Sequence, residues 1–131
     1  MCRTDISIQI AAPTEEDEGS ILAINNQSLT APFTAKWYKE LSPDDDNYAL
    51  VAKHNGRVVA FIIYKLRPEG GYVSYLAVKG SRRGLGIGSL LIAETAKALL
   101  VQGKEFMRLH VSSSDKGAQS FYAARGFEEA A

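Results

Sequence analysis

A tight hairpin in the middle of the chain does most to restrict the fold. Asn55-Gly56 separates two apolar segments, Tyr48 to Lys53 and Val58 to Leu66. Asn-Gly is the strongest short hairpin signal, because both central residues of a type I′ turn need positive φ. A second turn, Arg67 to Gly71, leads into a third apolar segment, Tyr72 to Val78. The sequence therefore predicts a three-stranded antiparallel meander.

Further strands and helices flank this meander and predict a mixed α/β layer fold. Thr14 and Asp17 have the spacing of a capping box ahead of the first helix. Gly103 is the natural stop of the helix that follows the meander. The flanking elements are a strand from Ile6 to Ala11, a helix containing Ile21 to Leu29, a second helix within Pro32 to Leu41, a helix from Ser89 to Val101, a strand from Phe106 to Val111 and a helix from Lys116 to Arg125.

Length, charge and cysteine content limit the class of function. A chain of 131 residues has the length of one domain, here residues 1–131. Lys+Arg and Asp+Glu both number 15, which argues against a protein that mainly grips nucleic acid or an anionic membrane. A single cysteine, Cys2, can form neither an internal disulfide nor a zinc cluster. With no signal-peptide pattern and no apolar run near ~20 residues, we expect a cytoplasmic protein without a bound metal.

The segment SRRGLGIGSLL, from Ser81 to Leu91, places three glycines at the entrance of a predicted helix. The first N–H groups of a helix lack intrahelical partners and lie at the positive end of its dipole. Glycines let an anion approach these groups closely, and Arg82 and Arg83 add positive charge. The segment therefore predicts a phosphate or pyrophosphate site. Taken alone, a tight helix entry with incidental glycines explains it equally well.

Neither common nucleotide-binding motif fits this loop. Gly84, Gly86 and Gly88 follow the pattern G-x-G-x-G, whereas a dinucleotide fold needs G-x-G-x-x-G and an acidic residue about 20 positions later. No lysine follows Gly88, as a P-loop would require. Both nucleotide-binding interpretations of the loop are therefore disfavoured.

Two motifs together resemble the GNAT acetyltransferases. Arg83 to Gly88 matches the family pattern [Q/R]-x-x-G-x-[G/A], and Ser113 to Phe127 resembles its second pattern, N-x-x-A-x-x-[FY]-Y-x-x-x-G-F. The pair covers about the second half of the chain, and its specificity lies in the combination. The resemblance implies the GNAT fold of the α/β (α+β) class, with a mostly antiparallel mixed sheet and helices on both faces. It also implies that the central strands splay apart beside the glycine loop.

The resemblance implies acetyl-CoA as co-substrate and transfer of its acetyl group to a primary amine. Tyr122 would protonate the departing thiolate, which suits a phenol of pKa ~10; the alternative is an ordinary core tyrosine. Asp115 replaces the family's usual Asn, and we expect its carboxylate to cap the helix. The residues implied to bind the cofactor are Leu76, Ala77, Val78, Arg83, Gly84, Leu85, Gly86, Ile87, Gly88, Ser89, Asp115, Ala118 and Phe121.

The acceptor amine is indicated by Tyr72 and His110, which would meet if their strands are neighbours. This pair resembles the protein N-terminal acetyltransferases of the NatE type, in which a Tyr and a His hold the water that deprotonates the substrate. The resemblance implies Phe33, Tyr72 and Ser74 as peptide contacts. A peptide α-amine of pKa ~7.7–8.0 asks little of a histidine base. Three alternatives stay open: ordinary strand roles for both residues, a small-amine acetyltransferase, and a non-catalytic acetyl-CoA-binding module.

Few residues follow the second motif. The family continues after Gly126-Phe127 through a loop and a last strand, whereas Glu128 to Ala131 are all that remain here. We therefore expect the C-terminal strand to be missing or truncated, with acetyl-CoA binding retained and peptide affinity weakened. An open sheet edge would also allow dimerisation through strands.

Overall fold

A five-stranded sheet in the order β1-β2-β3-β4-β5 forms the centre of the protein. The computed structural model describes residues 8–111 and 114–128. β1 (Ile8–Ala11), β2 (Asn47–His54), β3 (Arg57–Arg67) and β4 (Gly70–Val78) pair antiparallel, and β5 (Met107–Leu109) is parallel to β4. The predicted mixed, mostly antiparallel sheet is confirmed.

Some predicted features fall outside the described ranges. They are the start of the first strand, at residues 6–7, and the start of the second motif, at residue 113. The expected absence of a further C-terminal strand concerns the chain beyond Glu128, which also lies outside them.

The central hairpin forms at the predicted position. Asn55 and Gly56 both have positive φ, 52° and 77°, as a type I′ turn requires. Residues 58–64 of β3 are all buried, because helices cover the strand on both faces.

Helices on the two faces enclose two apolar clusters. α1 (Glu18–Ser28) and α2 (Ala35–Lys39) cover the cluster that contains Phe61 and Ile63. α3 (Ile87–Val101) covers the cluster that contains Ile62, Val73 and Leu91. From Ala60 to Ile63, successive residues of β3 alternate between the two clusters, as the pleat of a strand dictates. α4 (Lys116–Ala123) has no buried residue.

α2 lies within the segment predicted to contain a helix, and a buried amide explains why it begins only at Ala35. The side chain of Asn25 donates to the Phe33 carbonyl at 2.9 Å and accepts from the Phe33 N–H at 3.0 Å. Both backbone groups of Phe33 are thereby engaged outside a helix. Thr34 then caps α2, because its Oγ1 accepts from the Trp37 N–H at 3.0 Å.

α3 begins at Ile87, two residues earlier than predicted, and ends as its sequence predicts. Gly103 has φ 75°, and its N–H donates to the Leu100 carbonyl at 3.0 Å. The Lys104 N–H donates to the Leu99 carbonyl at 2.9 Å, which completes a Schellman motif. Across the described ranges, no helix combines the length and the apolar character that crossing a membrane would require.

Candidate active site

A cleft opens where β4 and β5 diverge. The two strands pair only over residues 71–73 and 107–109. β4 continues to Val78, and within the described ranges no strand pairs with this edge beyond Val73. A cleft of about 210 Å³ occupies the gap. Backbone polar groups of β4 from Ser74 onward therefore face a cleft instead of a neighbouring strand.

An extra residue in β4 accounts for this divergence. Ile63 of β3 pairs with Tyr75, but Tyr64 pairs with Val73, so Ser74 has no opposite residue on β3. Such a bulge bends its strand and increases the local twist. The bulge therefore turns β4 away from β5 immediately after their last paired residues.

Side chains from four separate segments line the cleft. Six predicted site residues are among them: Ser74, Leu76, His110, Asp115, Ala118 and Tyr122. The sequence did not indicate the others, which are Leu29, Val73, Tyr75, Leu109 and Val111. Leu29, for example, follows α1 directly. Its place in the cleft depends on the path between α1 and α2, which no local pattern encodes.

Tyr122 is half-buried in the cleft wall. Asp115 caps α4, since its Oδ1 accepts from the Ala118 N–H at 2.9 Å, as its residue type predicts. The rings of Phe121 and Phe127 meet the Tyr122 ring edge-on, with centroids 5.1 Å and 5.5 Å away. Burial, and secondarily the charge of Asp115, raise the pKa of the Tyr122 phenol. The hydroxyl therefore stays protonated at neutral pH and can donate a proton.

Tyr72 and His110 come together as predicted. Their ring centroids are 5.5 Å apart, and His110 lines the cleft. Val73 packs into the cluster under α3, so Tyr72 lies on the opposite face of the sheet, towards α1. The Arg67 guanidinium carbon lies 5.3 Å from the Tyr72 ring centroid.

The structure does not bring Phe33 to the cleft. Phe33 is only 7% exposed, and its ring packs between those of Phe61 and Tyr75, with centroids 5.7 Å and 4.9 Å away. The expected contact with the acceptor is therefore replaced by a supporting one, because Phe33 packs against Tyr75, which lines the cleft.

The glycine loop has the geometry that an anion requires. Gly84 and Gly86 both have φ 80°, a conformation that other residues rarely adopt. The first bond of α3 runs from the Leu90 N–H to the Gly86 carbonyl at 3.0 Å, so the three preceding N–H groups, those of residues 87–89, have no intrahelical acceptor. Arg83 donates from Nε to the Val78 carbonyl at 3.3 Å, which ties the loop to the end of β4.

Arg82, beside the same loop, has a buried hydrogen-bond donor without an acceptor in the described part of the chain. One of its terminal nitrogens lies 3.5 Å from Nδ1 of His54. Its Nε is buried and has no hydrogen-bond partner among the described residues. A buried donor of this kind is costly unless an acceptor completes it.

Comparison with known proteins identifies the family. The family model described as "Acetyltransferase (GNAT) family" matches residues 19–127. The chain therefore belongs to the GNAT acetyltransferase family.

Its relatives include enzymes with different acceptors. The chain is 32% identical over 114 residues to N-alpha-acetyltransferase MAK3 of Arabidopsis thaliana, covering 82% of this chain and 58% of that protein. It is 26% identical over 121 residues to L-2,4-diaminobutyric acid acetyltransferase of Halalkalibacterium halodurans, covering 90% of this chain and 64% of that protein. The chain thus spans less than two thirds of the length of both relatives.

Solved structures of the same fold extend over nearly the whole chain. Ard1 of Thermoplasma volcanium has a TM-score of 0.82 at 25% identity, covering 96% of this chain and 86% of that one. The ribosomal-protein-S18-alanine N-acetyltransferase of Escherichia coli has a TM-score of 0.85 at 21% identity, covering 95% of this chain and 80% of that one. The predicted GNAT fold is confirmed.

Proposed function

We propose that this chain transfers the acetyl group of acetyl-CoA to a primary amine, and that the acceptor is the α-amino group of a protein or peptide N-terminus. One observation carries the proposal. Tyr122, a protonated phenol, and His110, an imidazole, line the same cleft at the divergence of β4 and β5. A thioester bound there has a proton donor for its sulfur and a proton acceptor for the incoming amine.

The reaction follows from these two groups. The neutral amine attacks the thioester carbon, and the C–S bond breaks as the amide forms. The proton lost by the amine passes through water to His110, and Tyr122 gives its proton to the thiolate. A peptide α-amine, with pKa ~7.7–8.0, is already partly neutral at cellular pH, so a histidine base suffices.

The remaining residues suit acetyl-CoA as the donor. The unpaired edge of β4 from Ser74 to Val78 offers backbone partners for the amide groups of pantetheine. The N–H groups at the start of α3 suit the pyrophosphate. The Arg82 guanidinium adds positive charge beside the same loop.

The α-amine of a peptide is favoured as acceptor by the charges around Tyr72. The guanidinium of Arg67 lies over its ring, and Arg108 is its partner in the ladder with β5. Cations at this place disfavour a second ammonium group on the acceptor. The name of the Arabidopsis thaliana relative, N-alpha-acetyltransferase, agrees with this choice.

A small cationic amine is the second candidate, because an acidic cleft lies nearby. It is lined by four carboxylates, those of Glu40, Asp44, Asp45 and Asp46, and also by Lys65. Lys65 pairs with Tyr72 in the sheet, so this acidic cleft begins one strand away from the Tyr72–His110 pair, where the acceptor is proposed to bind. It would attract the distal ammonium of a polyamine.

Release of free CoA tests the proposal across acceptors. The panel contains peptides with different first residues, a polyamine and diaminobutyric acid, each with acetyl-CoA. We expect turnover on peptides that is unchanged in a Asp44→Asn/Asp45→Asn variant. Turnover only on the polyamine, lost in that variant, would establish the second candidate. Calorimetric binding of acetyl-CoA without transfer to any acceptor would instead indicate a non-catalytic module.

A further inference from the structure

α4 carries Tyr122 and is only partly covered by the rest of the protein. None of its residues is buried, and the helix spans only Lys116–Ala123. A proton donor must nevertheless sit within hydrogen-bond reach of the sulfur that it protonates. We infer that Arg125, Phe121 and Gly88 form a brace that fixes α4 against the first turn of α3. Arg125 is thus a positioning residue for Tyr122, an assignment that rests on the proposed function.

The first contact of the brace joins Phe121 to Gly88. A Cβ atom at Gly88 would lie 3.0 Å from Cζ of the Phe121 ring, closer than nearly all real contacts. Glycine at this position therefore lets the ring edge reach the helix backbone. Val78, at the end of β4, bounds the same space, since its Cγ2 would lie 3.6 Å from that Cβ.

The second contact is made by Arg125, which covers the face of the same ring. Its guanidinium carbon lies 3.7 Å from the Phe121 ring centroid. Nε donates to Oγ of Ser89 at 2.5 Å, and Nη1 donates to the Phe121 carbonyl at 2.7 Å. One planar group thus stacks on α4, bonds to its backbone and reaches the third residue of α3. Lysine cannot reproduce this combination, because its ammonium is a point charge without a flat face.

The charge of Arg125 supports a functional role. Ser89 belongs to the first turn of α3, where a cation is disfavoured by the helix dipole. The same cation is favoured at the C-terminal end of α4, where Nη1 bonds to the Phe121 carbonyl, so the brace stabilises α4 at a cost to α3. A local feature of the wrong sign is typical of functional sites. A phosphate bound at this helix end would attract the Arg125 guanidinium and outweigh the unfavourable helix dipole. Acetyl-CoA would then tighten the brace and hold Tyr122 in place.

The competing explanation for Arg125 is a direct contact with a phosphate of acetyl-CoA. An acetyl donor that lacks the phosphates distinguishes the two explanations. S-acetylpantetheine carries the thioester but lacks every phosphate of acetyl-CoA. Transfer rates of Arg125→Gln, Arg125→Lys and Ser89→Ala are compared with wild type on both donors. Lys116→Gln removes a cation from the same helix outside the brace and serves as the control. Hydrogen exchange of the α4 amides is measured without any ligand.

We expect Arg125→Gln and Arg125→Lys to lower kcat roughly ten- to a hundredfold with both donors, as small misplacements of catalytic groups do. Ser89→Ala has a smaller effect in the same direction, and the control has none. Amides of α4 exchange faster in both Arg125 variants. If the Arg125 variants only raise the KM for acetyl-CoA and leave kcat unchanged, Arg125 is a phosphate ligand and the brace is overturned. Hydrogen exchange of the α4 amides that is unchanged in these variants would also overturn the brace. If wild type transfers to no acceptor, the proposed function fails, while the exchange measurement still decides the brace.

Discussion

Tyr72 and His110 face each other at the end of the β4–β5 ladder, with ring centroids 5.5 Å apart. The ladder stops at Val73 and Leu109, one residue from each ring. The pair therefore stands where the strands part and the cleft begins. A base placed there lies beside the path by which an acceptor amine approaches a thioester inside the cleft.

Replacing His110 tests this base. His110→Ala should slow transfer at neutral pH about a hundredfold, the lower end of the usual effect of a general base. The wild-type pH–rate profile should contain a contribution from the base in addition to that of the acceptor amine, whose α-amino pKa is ~7.7–8.0. In the variant only the limb due to the amine should remain. A pH–rate profile identical to that of wild type would remove the assignment.

The glycine loop is tested by two matched substitutions. Gly86 has φ 80° but no neighbouring atom within 4 Å of an added Cβ, so Gly86→Ala isolates the backbone effect. The left-handed conformation should cost about 1–2 kcal/mol of stability and weaken acetyl-CoA binding. Gly80, in the same loop, has open space and no positive φ, so Gly80→Ala should be close to neutral. Urea unfolding and calorimetry measure both effects, and equal behaviour of the two variants would refute the account of the loop.

A buried ion pair predicts how stability responds to acid. Lys53 Nζ lies 3.0 Å from Oδ2 of Asp17, which also accepts from the Thr14 N–H at 2.8 Å. Burial by itself would raise the pKa of Asp17, but the Thr14 hydrogen bonds and Lys53 outweigh it and hold the pKa below its ordinary 3.8. A lowered folded-state pKa stabilises the protein above the unfolded value, and this contribution is lost as pH falls through the folded value.

The corresponding variant is Asp17→Asn. At neutral pH we expect it to lower the free energy of unfolding by roughly 1–3 kcal/mol, because Lys53 loses its partner. Below the folded pKa the difference from wild type should shrink, as the wild-type carboxyl is then protonated too. Glu15→Gln, an exposed carboxylate in the same turn, should change little. Urea unfolding at several pH values measures this, and a difference that grows towards acid pH would contradict the ion-pair account.

Asn25 supports the wall of the β4–β5 cleft through Phe33, whose ring packs against Tyr75. Its amide is fully buried and bonds to both backbone groups of Phe33. Asn25→Ala should cost roughly 1–3 kcal/mol, because two buried backbone groups lose their partners. It should also raise the KM for the acceptor while acetyl-CoA affinity is retained, since Phe33 supports Tyr75 in the cleft wall. Gln27→Ala, at an exposed position of the same helix, is the control; equal losses in both variants would contradict this role.

The fold was predictable where local chemistry decides it. Asn55-Gly56 can hardly form anything but a tight hairpin, and Gly103 stops α3 through its own positive φ. The residue at which α2 begins was not predicted, because a side chain eight residues away, Asn25, fixes the backbone of Phe33. Such tertiary hydrogen bonds override the local pattern and cannot be inferred from it.

The candidate site likewise contains residues that the local sequence indicates and residues whose position depends on the tertiary structure. The glycine loop lies within one short segment, so the sequence could indicate it as a candidate anion site, and the second motif made that prediction specific. The resemblance to the N-terminal acetyltransferases implied that Phe33 contacts the acceptor, but the path of the chain after α1 turns its ring into the core. Arg125 was passed over because an arginine at the end of a helix is ordinary. Only the distance to Ser89, 36 positions earlier, indicates a role for it.

The role of Tyr122 as proton donor to the thiolate is the centre of the account. Acetyl transfer to a peptide α-amine is followed by mass spectrometry for wild type and Tyr122→Phe, with acetyl-CoA affinity measured by calorimetry. Because burial raises the pKa of the phenol, the wild-type rate should not fall at alkaline pH until above about pH 10. We predict that Tyr122→Phe binds acetyl-CoA as wild type does but transfers about a hundredfold more slowly. Transfer at the full wild-type rate by Tyr122→Phe would contradict the account.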